Sequence, residues 1–231
     1  MMHNNVDTWD LTQRVLVNIT KLRRIQIEAV YMITTGSPRW DYYQGLATNP
    51  PITRVDAVLT PSKIDCLIKL SEYGFKHISK FWSNVDYMKQ HPRAYGCYIS
   101  HHSVWKTISK FKSDKWFLVL EDDVNKQHLS SFLSNPSING SDDCIYNLVR
   151  KSYRHDPYAT YKYGDSSMVC AAAYLLKQKH ACQLLKASAD KICAPADRFL
   201  FTPWRTGIPT CFHFNIGFNN HNIKSTIMNR T

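Results

Sequence analysis

The sequence predicts an α/β fold with a mostly parallel central sheet flanked by helices. Short apolar runs rich in β-branched and aromatic residues recur along the chain and end at turn residues or carboxylates, as buried strands do. Between them lie segments whose apolar residues follow three- and four-residue steps, which is typical of helices. With 231 residues, 44% of them hydrophobic, we expect one domain over 25–231, preceded by an arm or accessory helix over 1–24.

The first half of the chain alternates strands and helices. The second half of 25–33 is the first predicted strand, and a cluster of turn residues then leads to a helix from Arg39. A short strand over 53–58 and a helix over 64–73 follow, the helix carrying apolar residues at Ile64, Leu67, Ile68 and Leu70. Residues 91–96 are predicted as a turn, and the next helix has one face formed by Cys97, His101, Val104, Trp105, Ile108 and Phe111.

The central predicted element is a strand over 116–120, where five apolar residues follow one another without a break. It leads directly into an acidic cluster. The remaining predicted elements are strands over 144–149, 168–176 and 209–214, a helix over 177–189, and loops over 125–143 and 195–197.

Composition narrows the class of protein. The formal net charge of +11 favours an anionic partner such as a nucleotide, a nucleic acid or an acidic surface. No apolar run approaches 18 residues and no secretory signal is visible, so we expect a cytoplasmic protein without a transmembrane segment. The seven cysteines are odd in number and lack metal-binding spacing, which predicts neither a zinc ribbon nor a disulfide framework.

Three carboxylates, Glu121, Asp122 and Asp123, follow the central strand directly. Adjacent negative charges repel one another unless a cation neutralises them. Hard divalent ions are commonly held by one or two carboxylates together with substrate phosphates, and ligands of open α/β sheets bind outside the carboxyl ends of the strands. The triplet therefore predicts a metal-assisted phosphate-ester or nucleotide-sugar site, with an acidic surface loop as the alternative.

Two basic features suggest contacts to an anion. Arg39 follows a turn of Gly, Ser and Pro after the first strand, and its planar guanidinium suits a pyrophosphate. Residues 150–163 are basic and tyrosine-rich, as in a flexible lid, an acceptor-binding loop or a surface for single-stranded nucleic acid. A nucleic-acid-binding domain is the competing hypothesis. The acidic triplet disfavours it, because central carboxylates repel phosphates in the absence of a metal.

Two motifs stand at a fairly specific spacing: Gly96-Cys97-Tyr98-Ile99-Ser100-His101, and Leu118-Val119-Leu120-Glu121-Asp122-Asp123-Val124. Together they resemble glycosyltransferase family 25, which includes lipopolysaccharide and collagen galactosyltransferases. Weaker matches extend the resemblance over roughly 27–227, namely 30–33 with Arg39, 54–58, 173–185, Pro195-Ala196-Asp197 and 225–227. Ile33-Thr34-Thr35-Gly36 departs from the family's usual Asn-Leu-Asp-Arg.

The resemblance implies a GT-A fold, a UDP-sugar donor carrying galactose or glucose, and an inverting transfer to a glycan, a lipid-linked sugar or a protein hydroxyl. Asp123 would ligate Mn²⁺ or Mg²⁺, with Asp122 or Glu121 holding the ion or the ribose. His213 would be a further metal ligand. A degenerate family member that serves only as an interaction module is a third hypothesis.

An inverting transfer needs a base that takes the acceptor proton. The resemblance makes Asp197 the first candidate for this role and Asp165 the second. It implies further donor-site residues, of which the last two could instead brace the acidic loop: Arg39, Asp56, Ser100 and His101.

Overall fold

The computed structural model describes residues 22–78, 90–149, 170–189, 191–192 and 194–212. Its strands are β1 (Arg23–Arg24), β2 (Ile27–Thr34), β3 (Ile52–Asp56), β4 (His77–Ile78), β5 (Trp116–Glu121), β6 (Ser137–Ile138), β7 (Ile145–Asn147), β8 (Ala173–Lys177), β9 (Lys191–Ile192) and β10 (Thr210–Phe212). Its helices are α1 (Arg39–Gln44), α2 (Lys63–Glu72), α3 (Pro92–Ile108), α4 (Lys126–Ser134), α5 (Gln178–Ser188), α6 (Ala196–Leu200) and α7 (Pro203–Thr206).

Six strands form the central sheet in the order β10-β7-β8-β5-β2-β3. Strands β2, β3 and β5 are parallel neighbours, and so are β7 and β10. Strand β8 runs antiparallel to both β5 and β7. The predicted α/β class is therefore confirmed, and the sheet is mixed because β8 is reversed. Two small pairs, β1 with β6 and β4 with β9, lie outside this sheet.

The side chains of β2 and β5 alternate between two apolar layers, as the two-residue period of a strand requires. One layer packs against α2, α3, α5 and α6, and its sheet residues include Tyr31, Ile33, Phe117 and Val119. The other packs against Tyr43 of α1 and against α4, and its sheet residues include Val30, Met32, Leu118 and Leu120. Strand β5 is buried on both faces, as predicted.

Helix α3 begins at Pro92, so the prediction of a turn over 91–96 was wrong. Proline suits the first helical position, where its missing N–H leaves no bond unmade. Gly96 lies within the helix because the chain passes very close there: a Cβ at this position would stand 2.1 Å from the carbonyl oxygen of Val58 and 2.7 Å from Oγ1 of Thr60. Glycine thus lets α3 pack directly on the backbone that follows β3.

Two segments predicted as loops contain helices. In α4, the side chain of Asn125 accepts hydrogen bonds from the backbone N–H groups of Gln127 and His128 and so caps the helix. Its buried residues, Leu129, Phe132 and Leu133, follow helical spacing. The Asp197 segment is also helical, since α6 starts at Ala196.

Helix α2 lies where it was predicted, but its apolar residues do not all face the core. Cys66 and Leu70 are buried, whereas Ile64, Leu67 and Ile68 are exposed. Its start is fixed by a capping box in which Ser62 and Asp65 bond each other's backbone N–H.

A disulfide joins Cys144, which directly precedes β7, to Cys211 within the paired strand β10. This bond was not predicted, because the two cysteines are 67 positions apart in the sequence and only the sheet brings them together. Within the described part of the chain, no helix has the length and apolar character needed to cross a bilayer.

Several predicted features lie outside the described residues. They are the segment 1–21 of the arm, the basic tyrosine-rich segment 150–163, Asp165, His213 and the motif at 225–227.

The close approach at Gly96 can be tested by Gly96→Ala. We expect a loss of about 1–3 kcal/mol in the free energy of unfolding, because the new methyl group overlaps a backbone oxygen, although alanine is intrinsically the better helix former by about 1 kcal/mol. Urea denaturation measures this. Gly45→Ala is the matched control, since a Cβ there meets nothing within 4 Å. Equal stability of the two variants would refute the packing argument.

Candidate active site

The acidic triplet lies at the edge of the sheet where β2, β3 and β5 end. Ile33 is in register with Glu121, and Thr34 with Asp56. Strand β8 begins at the same edge, because Ala173 pairs with Leu120. The carboxyl ends of parallel strands form the usual ligand-binding edge of an open α/β sheet, so the structure places the predicted acids where a site is expected.

Asp122 is buried and both of its carboxylate oxygens accept hydrogen bonds from protein groups. Oδ2 accepts from Oγ1 of Thr34 at 2.8 Å and from the backbone N–H of Thr35 at 3.1 Å. Oδ1 accepts from Nη1 of Arg39 at 3.0 Å, which also makes an ion pair. Asp122 thereby fastens the end of β5 to the turn after β2 and to α1. Arg39, expected at a pyrophosphate, is thus drawn to this carboxylate.

Tyr43, one helical turn after Arg39, was not identified from the sequence. Its hydroxyl donates to the carbonyl oxygen of Val124 and lies 3.5 Å from that of Asp122. The pKa of this phenol is strongly raised, first by burial and second by the nearby negative charge of Asp123. Tyr43 therefore stays protonated and fixes the backbone on both sides of Asp123.

Asp123 differs from its neighbours because its Oδ1 is buried and has no hydrogen-bond partner among the described residues. Burial raises the pKa of its carboxyl from 3.8 to about 7, and the charges of Glu121 and Asp122 add to the effect. Buried polar atoms normally have hydrogen-bond partners, so an oxygen without one requires an explanation such as a bound ion. A divalent cation would satisfy an acidic oxygen in this position, so the chemistry of Asp123 is suited to the ligand role expected of it.

Glu121 is engaged by α3. Its Oε1 lies 3.0 Å from Nε2 of His101 and accepts a weaker bond from Sγ of Cys97 at 3.6 Å. The ligand atoms of Cys97, His101 and Glu121 all lie within 4.8 Å of one another, close enough to hold a metal ion. On its other side, His101 places Nδ1 3.0 Å from the hydroxyl of Tyr174.

Asp197 stands in the first turn of α6, where its Oδ1 accepts from the backbone N–H of Arg198 at 2.8 Å. The pKa of the Cys97 thiol is raised well above its usual value by burial, then by Glu121 and then by Asp197. Asp197 thus lies within electrostatic reach of Cys97. The predicted base is 76 positions from Glu121 in the sequence, and the fold brings it within electrostatic reach of Cys97, a neighbour of Glu121.

The other predicted residues have structural contacts. Oγ of Ser100 accepts from the backbone N–H of Val58 at 2.8 Å and donates to the carbonyl of Gly96 at 2.7 Å. It therefore joins α3 to the segment after β3. Asp56 reaches the expected edge, but its side chain is 77% exposed and pairs with Arg54.

Asn147 is a further residue at this edge that the sequence did not reveal. It ends β7 in register with Tyr174 and is buried. Its Oδ1 accepts from the backbone N–H of Val149, while its Nδ2 has no acceptor within the described ranges. Its position within an apolar run gave no sign of a site residue.

The fold and the site define an α/β protein whose acidic cluster lies at the carboxyl ends of its parallel strands, where open α/β sheets bind their ligands. Residues 75–200 match the sequence model of glycosyltransferase family 25 (LPS biosynthesis protein), which covers more than half of the chain. The chain belongs to this family, and the resemblance seen in its motifs is confirmed. No curated protein matches it.

The orphaned carboxylate makes stability depend on pH. The folded-state pKa of Asp123, about 7, lies above its ordinary value of 3.8, so the folded form takes up the proton more readily. Stability from this group is complete below the ordinary pKa and is lost as pH rises to about 7.

With a chelator present, we expect Asp123→Asn to melt higher than the unsubstituted protein at pH 8. The difference should shrink as pH falls and vanish below the ordinary pKa of 3.8, where the carboxyl is protonated in both the folded and the unfolded state. A gain of about 1 kcal/mol corresponds to about 2–4 °C for a chain of this size. Thermal melts followed by circular dichroism measure this. A pH-independent difference between the two proteins would contradict the role given to Asp123.

Asp122, the neighbour of Asp123, should show the opposite effect, because its hydrogen bonds to Thr34, Thr35 and Arg39 form a clamp that stabilises the folded state. Asp122→Ala removes three hydrogen bonds and the ion pair to Arg39, so we expect a loss of about 2–3 kcal/mol, the scale of hydrogen bonds to a charged group. Urea denaturation measures this. Asp56→Ala is the control, because an exposed ion pair contributes about 0–1 kcal/mol. A loss at Asp122 no larger than at Asp56 would show that the clamp is unimportant.

Proposed function

We propose that this family 25 protein transfers a hexose from a UDP-sugar to an acceptor hydroxyl by a metal-assisted inverting mechanism on a GT-A fold. The observation that carries the proposal is Asp123: an acidic side chain with an orphaned buried oxygen at the carboxyl edge of the sheet. Galactose and glucose are the proposed sugars, in keeping with the family resemblance. The acceptor is a glycan, a lipid-linked sugar or a protein.

The GT-A assignment is supported by the position of the acids. Parallel strands β3, β2 and β5 form one half of the sheet, and the triplet closes β5 at their shared edge. The reversed β8 follows immediately beside β5 and brings Tyr174 and the chain before it to the same edge. A donor nucleotide at this edge would meet the turn after β2 and the acidic triplet together.

Asp123 is the proposed ligand of Mn²⁺ or Mg²⁺, with Glu121 beside it. When bound, the cation would neutralise the charge that develops on the departing diphosphate. Asp122 serves this site indirectly, because its hydrogen bonds to Thr34, Thr35 and Arg39 fix the turn that borders it. His213 remains proposed as a further ligand outside the described residues.

Asp197 is the proposed general base. Its carboxylate would accept the proton of the attacking hydroxyl, which makes that oxygen nucleophilic toward the sugar. Its electrostatic reach to Cys97, from a helix separate from the acidic triplet, is compatible with a base on the acceptor side. Asp165, outside the described residues, is the second candidate. The net charge of +11 supports binding of an anionic donor.

The test is calorimetric titration of UDP with and without Mn²⁺, together with UDP-sugar hydrolysis or transfer. We expect Mn²⁺-dependent binding, which Asp123→Ala removes while circular dichroism shows an intact fold. Asp143→Asn is the control, because Asp143 is an exposed acid next to the start of β7, at the opposite end of the sheet. Full metal-dependent turnover in Asp123→Ala would refute the proposal. Absence of UDP binding in the unsubstituted protein would favour a non-catalytic module.

The base is tested separately by Asp197→Asn. We expect kcat to fall about 10²–10⁴-fold, the usual contribution of a general base, while the Kd for UDP with Mn²⁺ stays unchanged. Steady-state kinetics and calorimetry on the same preparation give both numbers. An unchanged kcat would show that Asp197 is not the general base, and Asp165→Asn would then be the next variant to measure.

A further inference from the structure

A buried chain of hydrogen bonds connects Trp105 to the acidic triplet. Nε1 of Trp105 lies 2.9 Å from the hydroxyl oxygen of Tyr174, which lies 3.0 Å from Nδ1 of His101. Nε2 of His101 then lies 3.0 Å from Oε1 of Glu121. Trp105, Tyr174 and His101 are each 0% exposed. Every polar atom in this row of hydrogen bonds must therefore find its partner within the protein.

The chemistry of each group fixes the direction of the chain. An indole N–H can only donate, so the oxygen of Tyr174 accepts from Trp105. The hydroxyl of Tyr174 has one acceptor within reach among the described residues, and that is Nδ1 of His101. Nδ1 must then be unprotonated. A neutral imidazole with a bare Nδ1 carries its proton on Nε2, and that N–H donates to Glu121.

The opposite tautomer is unfavourable at both ends of His101. A proton on Nδ1 would point at the Tyr174 oxygen and leave the buried hydroxyl proton without an acceptor. A bare Nε2 would face the carboxylate of Glu121, so two acceptors would lie against each other. Leaving one buried group unsatisfied costs about 1–3 kcal/mol.

We propose that Trp105, Tyr174 and His101 are positioning residues that orient Glu121. They hold its Oε1 toward α3, whereas Oε2 receives no hydrogen bond from the described residues and is the oxygen available to the ligand. The part played by Oε2 rests on the proposed function. The tautomer of His101 does not, because the described contacts alone determine it.

The orienting role of His101 competes with a second possible role of the same side chains, which is to bind a metal ion. Cys97, His101 and Glu121 could bind a soft metal such as Zn²⁺ only if Nε2 of His101 were unprotonated, since a ligating nitrogen carries no proton. The hydrogen-bonded chain assigns the proton to that nitrogen. Binding of Zn²⁺ by these three residues is therefore the outcome that overturns the proposal.

The first experiment observes the tautomer directly. Two-bond ¹H–¹⁵N correlation spectra of histidine-labelled protein distinguish protonated from bare ring nitrogens, and His101→Gln identifies the signals of His101. We expect a protonated Nε2 and a bare Nδ1, and we expect Tyr174→Phe to perturb this pattern. Tyr146→Phe is the control, because its hydroxyl bonds the carbonyls of Asn139 and Ser141 instead.

A protonated Nδ1 in the unsubstituted protein, or a pattern unaffected by Tyr174→Phe, would overturn the proposal. So would Zn²⁺ binding seen as a metal-bound Nε2. Titration with Co²⁺ gives an independent check, because a thiolate ligand from Cys97 would produce charge-transfer absorption that Cys97→Ser abolishes. We expect no such band.

The second experiment tests whether orienting Glu121 matters to the ligand. His101→Phe removes the donor, and we expect the Kd for UDP with Mn²⁺ to rise about 10-fold or more, as when a partner of a metal ligand is lost. His101→Gln supplies an amide N–H to Glu121 and should restore most of the affinity. Circular dichroism verifies folding, and Tyr174→Phe, which keeps the ring, serves if His101→Phe does not fold.

Equal affinities in the two His101 variants would refute the positioning role. If the unsubstituted protein bound no UDP with Mn²⁺, the proposed function and the role of Oε2 would both fail. The tautomer measurement would still decide whether the hydrogen-bonded chain exists.

Discussion

Three adjacent carboxylates at the end of a buried strand are the constraint on which this structure depends. Buried negative charges are costly unless each is paired, and the fold treats the three differently. Glu121 receives hydrogen bonds from α3, and Asp122 receives them from Arg39 and the turn after β2. Asp123 alone keeps a buried oxygen without a partner among the described residues. This unequal treatment leaves one acid with a strongly raised pKa, and strongly perturbed pKa values cluster at functional sites.

Helix α3 explains why glycine, cysteine, serine and histidine occur together in one motif. Gly96 and Ser100 are four residues apart and both meet the segment after β3, one by close approach and the other by hydrogen bonding to Val58. Cys97 and His101 are also four residues apart, and both reach Glu121. Residues at this spacing share a helix face. One short motif therefore docks the helix and orients the acid.

Most strands were predictable because their apolar runs are long and end at turn residues or acids. The errors arose where burial depends on neighbours that the sequence does not reveal. Gly96 suggested a turn, although the glycine serves close packing within a helix. The polar residues of α4 suggested a loop, although Asn125 and the spacing of Leu129 and Phe132 were a readable helix signal. In α2, only the tertiary structure decides which apolar residues are covered.

The sequence by itself determined the α/β class, the acidic triplet at the end of its central strand and the family to which the chain belongs. These follow from local periodicity and short motifs. Only the tertiary structure decided that Asp122 is held by Thr34 and Arg39, and that Tyr174 reaches His101. These partners lie 73 to 88 positions apart in the chain. No local pattern encodes such distances, because it is strand order and helix packing that bring those groups within hydrogen-bonding range.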